Sequence, residues 1–157
     1  MRLYHGSTID IEKIDLALSK PNKDFGRAFY LSDDRQQALE MAQFRAEFEE
    51  TEPVVNVYEF DEALFQEFRY KRFEAYTEEW AHFVYDHRTE PHGRTLHDYD
   101  IVYGPIANDR VGAQIARYKQ GYITFDEFLR RIQYIKGITF QYAFCTQRAI
   151  DKLQKIL

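Results

Sequence analysis

The sequence predicts an α+β domain whose sheet is mostly antiparallel or mixed, and three observations carry that prediction. A chain of 157 residues suits one hydrophobic core. Strand-like and helix-like segments follow one another without the regular alternation that produces parallel βαβ units. No internal repeat, low-complexity segment or long linker divides the chain. We therefore expect one domain over residues 1–157.

Five segments are predicted as strands because β-branched and aromatic residues concentrate in them between glycine, proline or polar residues. In chain order they are residues 2–5, the β-prone run that a glycine-containing turn feeds within residues 25–32, and residues 54–60, 101–103 and 139–145. Of these, the run VVNVYEF is the clearest. Three segments are predicted as loops: residues 9–18, residues 19–24 and the run RTEPHGRTLHDY at residues 88–99.

Helices are predicted where a capping residue precedes apolar residues at helical spacing. The capping residues, in chain order, are Asp33, Asp61, Thr124 and Thr146. The helix after Asp33 extends to about residue 49, and the last helix extends to Leu157. Two further helices are predicted over residues 78–87 and 109–118. The first helix should bury one face: Ala38, Met41, Ala42, Ala46 and Phe48.

Composition and charge exclude several classes of protein. The formal net charge of −5 disfavours broad binding to phosphate backbones, which needs clustered Lys and Arg. The basic runs at residues 69–72 and 130–131 are interpreted as solvated helix faces. No apolar run approaches the roughly 18 residues of a membrane span, and the N-terminus lacks a signal-peptide pattern. We therefore expect a soluble, cytoplasmic protein with no membrane contact.

The signals of several common active sites are missing. The tripeptide DFG at residues 24–26 matches the kinase metal-binding motif, but neither a phosphate loop nor an HRD segment accompanies it. Four histidines are spaced five residues apart: His82, His87, His92 and His97. That spacing turns successive helical positions by about 140°, so we expect no metal site. Cys145 is the only cysteine and is expected to be a small buried hydrophobe.

The last predicted strand separates two kinds of side chain. Phe140, Tyr142 and Phe144 fall on one face because successive strand residues alternate. Gln141 falls on the other face with Ala143 and Cys145. Its amide can hydrogen-bond either a ligand or a neighbouring loop.

Several short stretches in fixed order resemble a known family. The order LYHGS, DFGRAFYLS, QALEMA, VVNVYEFD, DIVYGPIAND and QYAFCT is similar to a bacterial, toxin-like family of unknown function. That family is regarded as ADP-ribosyltransferase-like, within the diphtheria-toxin-type His-Tyr-Glu lineage. The similarity runs from about residue 2 to residue 150. It implies mixed or antiparallel sheets with flanking helices around an NAD cleft.

The resemblance implies a catalytic set of three residues. His5 would bond the ribose on the nicotinamide side, and Tyr30 would stack on the nicotinamide ring. Gln141 matches the lineage's glutamate, which bonds the ribose 2′-OH. Gly6 would offer its backbone to the carboxamide, with Ser7 beside it in the cofactor site.

Three residues before the Tyr30 strand complete the implied NAD site. Phe25, Gly26 and Arg27 can line the pocket. Arg27 either meets the NAD pyrophosphate or lies exposed in a loop.

Gln141 leaves the activity open, since a neutral amide supplies no counter-charge to an oxocarbenium-like transition state. Either Gln141 suffices for slow or selective transfer, or another acid such as Asp100 or Asp109 helps. In the third alternative, the protein binds a nucleotide without turning it over. Arg88 is either structural or substrate-facing.

The resemblance therefore implies an NAD+-dependent mono-ADP-ribosyltransferase, a pentosyl transferase of the bacterial toxin type. NAD+ would be its co-substrate, without a metal, and its acceptor an unidentified macromolecule. A small cognate antitoxin is a further expected partner. The alternatives are a non-catalytic module that binds NAD, ADP-ribose or a partner, and an NAD+ glycohydrolase.

Overall fold

Seven strands and five α-helices form the chain in the computed structural model, which describes residues 1–135 and 137–156. The strands are β1 (Arg2–Ser7), β2 (Phe29–Leu31), β3 (Val54–Glu59), β4 (Tyr70–Arg72), β5 (Ile101–Pro105), β6 (Phe140–Phe144) and β7 (Gln154–Lys155). The helices are α1 (Arg35–Glu49), α2 (Glu78–Thr89), α3 (Val111–Lys119), α4 (Phe125–Arg131) and α5 (Gln147–Ile150). Short 3₁₀ helices cover Leu16–Leu18 and Glu62–Glu67.

Two sheets make up the β structure. One has the strand order β1-β3-β7 and the other β2-β6-β5-β4. All pairings are antiparallel except that of β4 with β5. The sheets meet where Tyr4 and Ser32 exchange two backbone hydrogen bonds of 2.8 Å. This mixture of helices with two mostly antiparallel sheets confirms the predicted α+β class.

Side-chain caps fix where the helices begin. Asp61, Thr124 and Thr146 cap as predicted, each accepting a hydrogen bond from a backbone N–H of the first turn. The cap of α1 is Asp34 rather than Asp33. The neighbouring aspartate replaces it because Asp34 Oδ1 reaches the amide of Gln36 at 2.9 Å.

The four-stranded sheet separates two hydrophobic clusters. One is built around Phe25, Trp80 and Phe128, and the other around Leu3 and Phe60. Strand β6 contributes to both, and its side chains divide as the period-2 pattern predicts. Tyr142 and Phe144 enter the second cluster, while Ala143 and Cys145 enter the first.

Three further predictions about local structure are wrong. Residues 69–72 are not a helix face, since Tyr70–Arg72 pairs with β5. The last helix ends at Ile150 instead of continuing, because residues 154–155 pair with the open edge of β3. The predicted end of that helix, Leu157, lies outside the described residues. Met41 and Phe48 are exposed, because α1 rests on its alanines.

Helix α1 approaches strand β1 so closely that Gly6 is required between them. A Cβ at Gly6 would overlap the carbonyl oxygen of Ala38 and lie 2.9 Å from the amide nitrogen of Ala42. Both contacts are backbone atoms, which cannot rotate away. The alanines of α1 and the glycine of β1 together allow this close contact.

We expect Gly6→Ala to lower the free energy of unfolding by roughly 3 kcal/mol, because the added methyl group overpacks a backbone contact. Urea denaturation measures the change. Gly112→Ala is the matched control, since a Cβ there meets no described atom within 4 Å. That change lies in α3 and should raise stability by roughly 0.5 to 1 kcal/mol. Equal stability of Gly6→Ala and wild type would contradict the close packing.

Candidate functional site

A small open pocket lies where the two sheets and α1 meet. Its volume is about 30 Å³, which is room for roughly one or two water molecules. The residues lining it come from β1, β2, α1, β6 and the segment after β5. They are Tyr4, Gly6, Tyr30, Leu31, Ser32, Gln37, Ala38, Met41, Ile106 and Gln141.

The sheet register brings Tyr30 and Gln141 to the same wall of this pocket. Tyr30 pairs with Ala143, so its side chain lies on the face of the sheet that also carries Gln141. The Tyr30 hydroxyl accepts a hydrogen bond from the Phe25 amide at 2.9 Å and donates one to the Gly26 carbonyl at 2.8 Å. Burial raises the pKa of Tyr30 well above its ordinary value, so the phenol stays protonated.

Gln141 is held by a buried carboxylate. Its Nε2 donates to Oδ2 of Asp24 at 3.2 Å. The other carboxylate oxygen of Asp24 binds Arg88, with Nε at 2.7 Å and Nη2 at 2.6 Å. The amide of Ala107 also points at Asp24 Oδ2, at 3.4 Å. Only 7 % of the Asp24 side chain is exposed, so its charge is balanced inside the protein by Arg88.

The electrostatics of this cluster fix the orientation of the Gln141 amide. An acceptor-only carboxylate requires the NH₂ group of Gln141 to face it. The amide oxygen of Gln141 then points away from Asp24 and has no hydrogen-bond partner among the described residues. Gln141 therefore brings a neutral amide to the pocket wall, next to an ion pair whose charges cancel.

His5 is placed by different contacts from those of Gln141. Its Nδ1 donates to the carbonyl oxygen of Tyr30 at 2.6 Å, and its ring stacks on Phe29 with centroids 4.2 Å apart. The residues that line the pocket include the neighbours of His5 on β1 but not His5 itself. Burial, together with the positive charges of Arg45 and Lys155, lowers the pKa of His5 to about 4 despite the hydrogen bond to the Tyr30 carbonyl. The imidazole is therefore neutral at pH 7.

The remaining residues of the implied NAD site lie outside the pocket wall. Phe25 is fully buried against other aromatic rings, and Gly26, at a φ of 88°, forms the turn beneath the Tyr30 hydroxyl. Arg27 donates to the carbonyl oxygens of Ala17 and Ser19. Ser7 is buried at the end of β1. Of the predicted site residues, the structure brings together Gly6, Tyr30 and Gln141.

Asp24 is the functional candidate that sequence reasoning missed. It lies in the DFG tripeptide, which matched an unrelated kinase motif. Its partners Arg88 and Gln141 are 64 and 117 residues away, so no local spacing could connect them. Asp100 binds Thr146 and Arg148 instead, beyond the C-terminal end of β6, and Asp109 is exposed.

Two other chemistries find no support among the described residues. No group of three or more histidine, cysteine or carboxylate side chains could hold a metal ion within residues 1–135 and 137–156. Burial raises the pKa of the Cys145 thiol to about 12, so it carries no nucleophilic thiolate at pH 7.

Within residues 1–135 and 137–156, no helix combines the length and hydropathy of a membrane span.

Fold and site together define an α+β fold with a small, mostly apolar pocket between two sheets. The chain matches, over residues 1–155, the family described as protein of unknown function DUF3990, and it belongs to that family. No curated protein and no solved structure matches the chain.

The lowered pKa of the half-buried His5 predicts a pH-dependent stability. Its pKa is about 4 in the folded protein and about 6.5 in the unfolded chain. Between these values the unfolded chain binds more protons, so stability falls as the pH drops from 6.5 to 4, by at most about 3 kcal/mol. Burial also lowers the pKa values of His87 and His97, which adds to the same trend.

Urea denaturation at a series of pH values measures this dependence. His5→Gln should flatten the profile between pH 6.5 and 4, while His92→Gln, at an exposed histidine, should retain the wild-type profile. Identical slopes for wild type and His5→Gln would show that His5 is protonated equally in both states.

Proposed function

We propose that this protein is an NAD+-dependent mono-ADP-ribosyltransferase of the bacterial toxin type, which modifies a macromolecular acceptor. One observation carries the proposal. Gly6, Tyr30 and Gln141 come from three distant stretches, each within a segment that resembles the transferase lineage, and they line a single pocket. Each of the three also has a structural partner: Gly6 in the packing of α1, Tyr30 in the turn at Gly26, and Gln141 in the carboxylate of Asp24.

The nicotinamide end of NAD+ would bind in this pocket. The Tyr30 ring offers an aromatic surface for the nicotinamide, and the free amide oxygen of Gln141 accepts a hydrogen bond from the ribose 2′-OH. His5 acts as a positioning residue, since its Nδ1 holds the backbone of Tyr30. Asp24 likewise positions Gln141 by holding its NH₂ group.

The reaction breaks the bond between the nicotinamide nitrogen and ribose C1′. The electron pair leaves with the nitrogen, so neutral nicotinamide is released, and a nucleophilic atom of the acceptor bonds to C1′ and loses a proton to solvent. Positive charge builds on the ribose as the bond breaks, as it does in glycoside hydrolysis. Gln141 orients the sugar at this stage but supplies no negative charge.

Binding requires the pocket to widen, because about 30 Å³ is less than a nicotinamide ring occupies. Of the lining side chains, Met41 is half exposed and unbranched. Such a side chain changes rotamer easily. We therefore assign the opening movement to Met41 on α1.

A second candidate function is binding of NAD+ or ADP-ribose without turnover. It is favoured by the charge balance of the site, since Gln141 is neutral and Arg88 cancels the charge of Asp24. A pocket without net negative charge can bind a ribose. It gives little stabilisation to the positive charge that builds on the ribose when the bond to nicotinamide breaks.

Incubation with NAD+ labelled in its adenylate phosphate and a bacterial lysate tests the transferase. We expect label on an acceptor and release of nicotinamide, both lost in Gln141→Ala. Calorimetry on the same samples separates the second candidate, which predicts NAD+ or ADP-ribose binding without nicotinamide release. Free ADP-ribose without a labelled acceptor would indicate glycohydrolysis. Absence of both binding and release would contradict both proposals.

A charge swap tests why an amide stands at position 141. Gln141→Glu alone would put two carboxylates about 3 Å apart, so we expect reduced stability. Adding Asp24→Asn restores a donor–acceptor pair and moves the negative charge to the pocket wall. The double variant should recover part of the stability lost in Gln141→Glu, because the asparagine keeps an oxygen that accepts from Arg88, and should release nicotinamide roughly tenfold faster than wild type. A stable double variant with unchanged release would show that charge at this position does not limit the reaction.

A further inference from the structure

Helix α1 exposes a row of large apolar side chains to solvent. Met41, Phe44 and Phe48 are 51 %, 74 % and 86 % exposed. Their spacing of three and four residues places them on one side of the helix, over two turns. We call these three residues the α1 stripe. Single exposed apolar side chains are ordinary, but a contiguous row with two phenylalanines is typical of an interaction surface.

The α1 stripe is not a misplaced part of the core. The opposite side of α1 is buried through Ala38, Ala42 and Ala46, which pack on β1 and β3. The close contact at Gly6 fixes that orientation, because rotating the helix would bring larger side chains against the backbone of β1. The fold therefore holds the stripe in solvent.

Negative charge is concentrated around the stripe. Residues 33–52 contain seven acidic and two basic side chains, a net charge of −5 that equals the net charge of the whole chain. Four of the acidic residues are exposed on or directly after α1: Glu40, Glu47, Glu49 and Glu50. The rest of the protein is balanced, so this segment is the origin of its negative charge.

We propose that the α1 stripe docks a protein segment that folds as a basic amphipathic helix. Its apolar face would cover Met41, Phe44 and Phe48, and its Lys and Arg residues would meet the surrounding carboxylates. The row of three side chains spans about 10 Å along α1, which a partner helix of two to three turns would cover. The flexible Met41 adapts its shape to such a partner.

The same charges select against other occupants. Nucleic acids and anionic lipid surfaces are negative and would be repelled. A second copy of the chain would bring one acidic segment against another. The proposal does not rest on NAD+ chemistry, although Met41 also lines the pocket, so a docked helix would border the pocket entrance.

A binding titration with a designed peptide tests the proposal on the full chain. The probe is a fluorescein-labelled 14-residue peptide of leucine and lysine at helical spacing, with a second peptide carrying glutamate in place of lysine. We expect saturable one-to-one binding of the lysine peptide, weakened by salt, and no binding of the glutamate peptide. Equal affinity for both peptides would overturn the charge argument.

Two double variants locate the binding surface. Phe44→Ser/Phe48→Ser should bind the lysine peptide at least tenfold more weakly while keeping all charges. Leu18→Ser/Tyr122→Ser is the matched control, because these residues are 83 % and 75 % exposed elsewhere, and it should bind like wild type. All four changes are at exposed positions, and circular dichroism verifies the fold. Unchanged binding of Phe44→Ser/Phe48→Ser would overturn the proposal.

Charge reversal gives an independent readout. Glu40→Lys/Glu47→Lys should lower affinity for the lysine peptide and raise it for the glutamate peptide, each at least fivefold.

Sedimentation of the wild type should show a monomer, and vesicles of anionic phospholipid should not bind it. A dimer that Phe44→Ser/Phe48→Ser dissociates would instead assign the stripe to a second copy and overturn the proposal, as would vesicle binding.

Discussion

The buried carboxylate of Asp24 is the interaction on which the rest of the site depends. It connects four parts of the chain: its own loop, α2 through Arg88, the segment after β5 through the amide of Ala107, and β6 through Gln141. A buried charge is stable only when such partners surround it, so removing any one leaves the carboxylate poorly satisfied. The loop before β2 is therefore fixed relative to the sheet, and with it the turn that holds the Tyr30 hydroxyl.

This constraint also explains the chemistry that the pocket offers. A carboxylate at the end of β6 would face Asp24 at about 3 Å, whereas an amide donates to it and turns its own oxygen outward. The neutral residue at position 141 is therefore matched to its buried neighbour. The site therefore presents a neutral amide that can hydrogen-bond a hydroxyl group, while the negative charge of Asp24 is paired with Arg88.

Helix α1 has two functions in the fold, one on each side. Its alanines allow the contact with Gly6 that closes the pocket, and its phenylalanines are left in solvent by the same contact. A small-residue face buries little apolar area per residue but lets two backbones approach closely. The glycine in LYHGS thus has a packing reason that stands whether or not a ligand approaches the same backbone.

The sequence by itself determined the α+β class, most of the strands, the caps at Asp61, Thr124 and Thr146, and the two faces of β6. These features depend on residues that are neighbours in the chain, where periodicity and capping act. Only the tertiary structure decided that residues 70–72 and 154–155 are strands, because they pair with sheet edges far away in sequence. It also decided that Met41 and Phe48 face solvent and that Asp24 meets Gln141. Those outcomes depend on which backbone or charge lies opposite a side chain. The residues of a single strand or helix do not specify which distant segment packs against it.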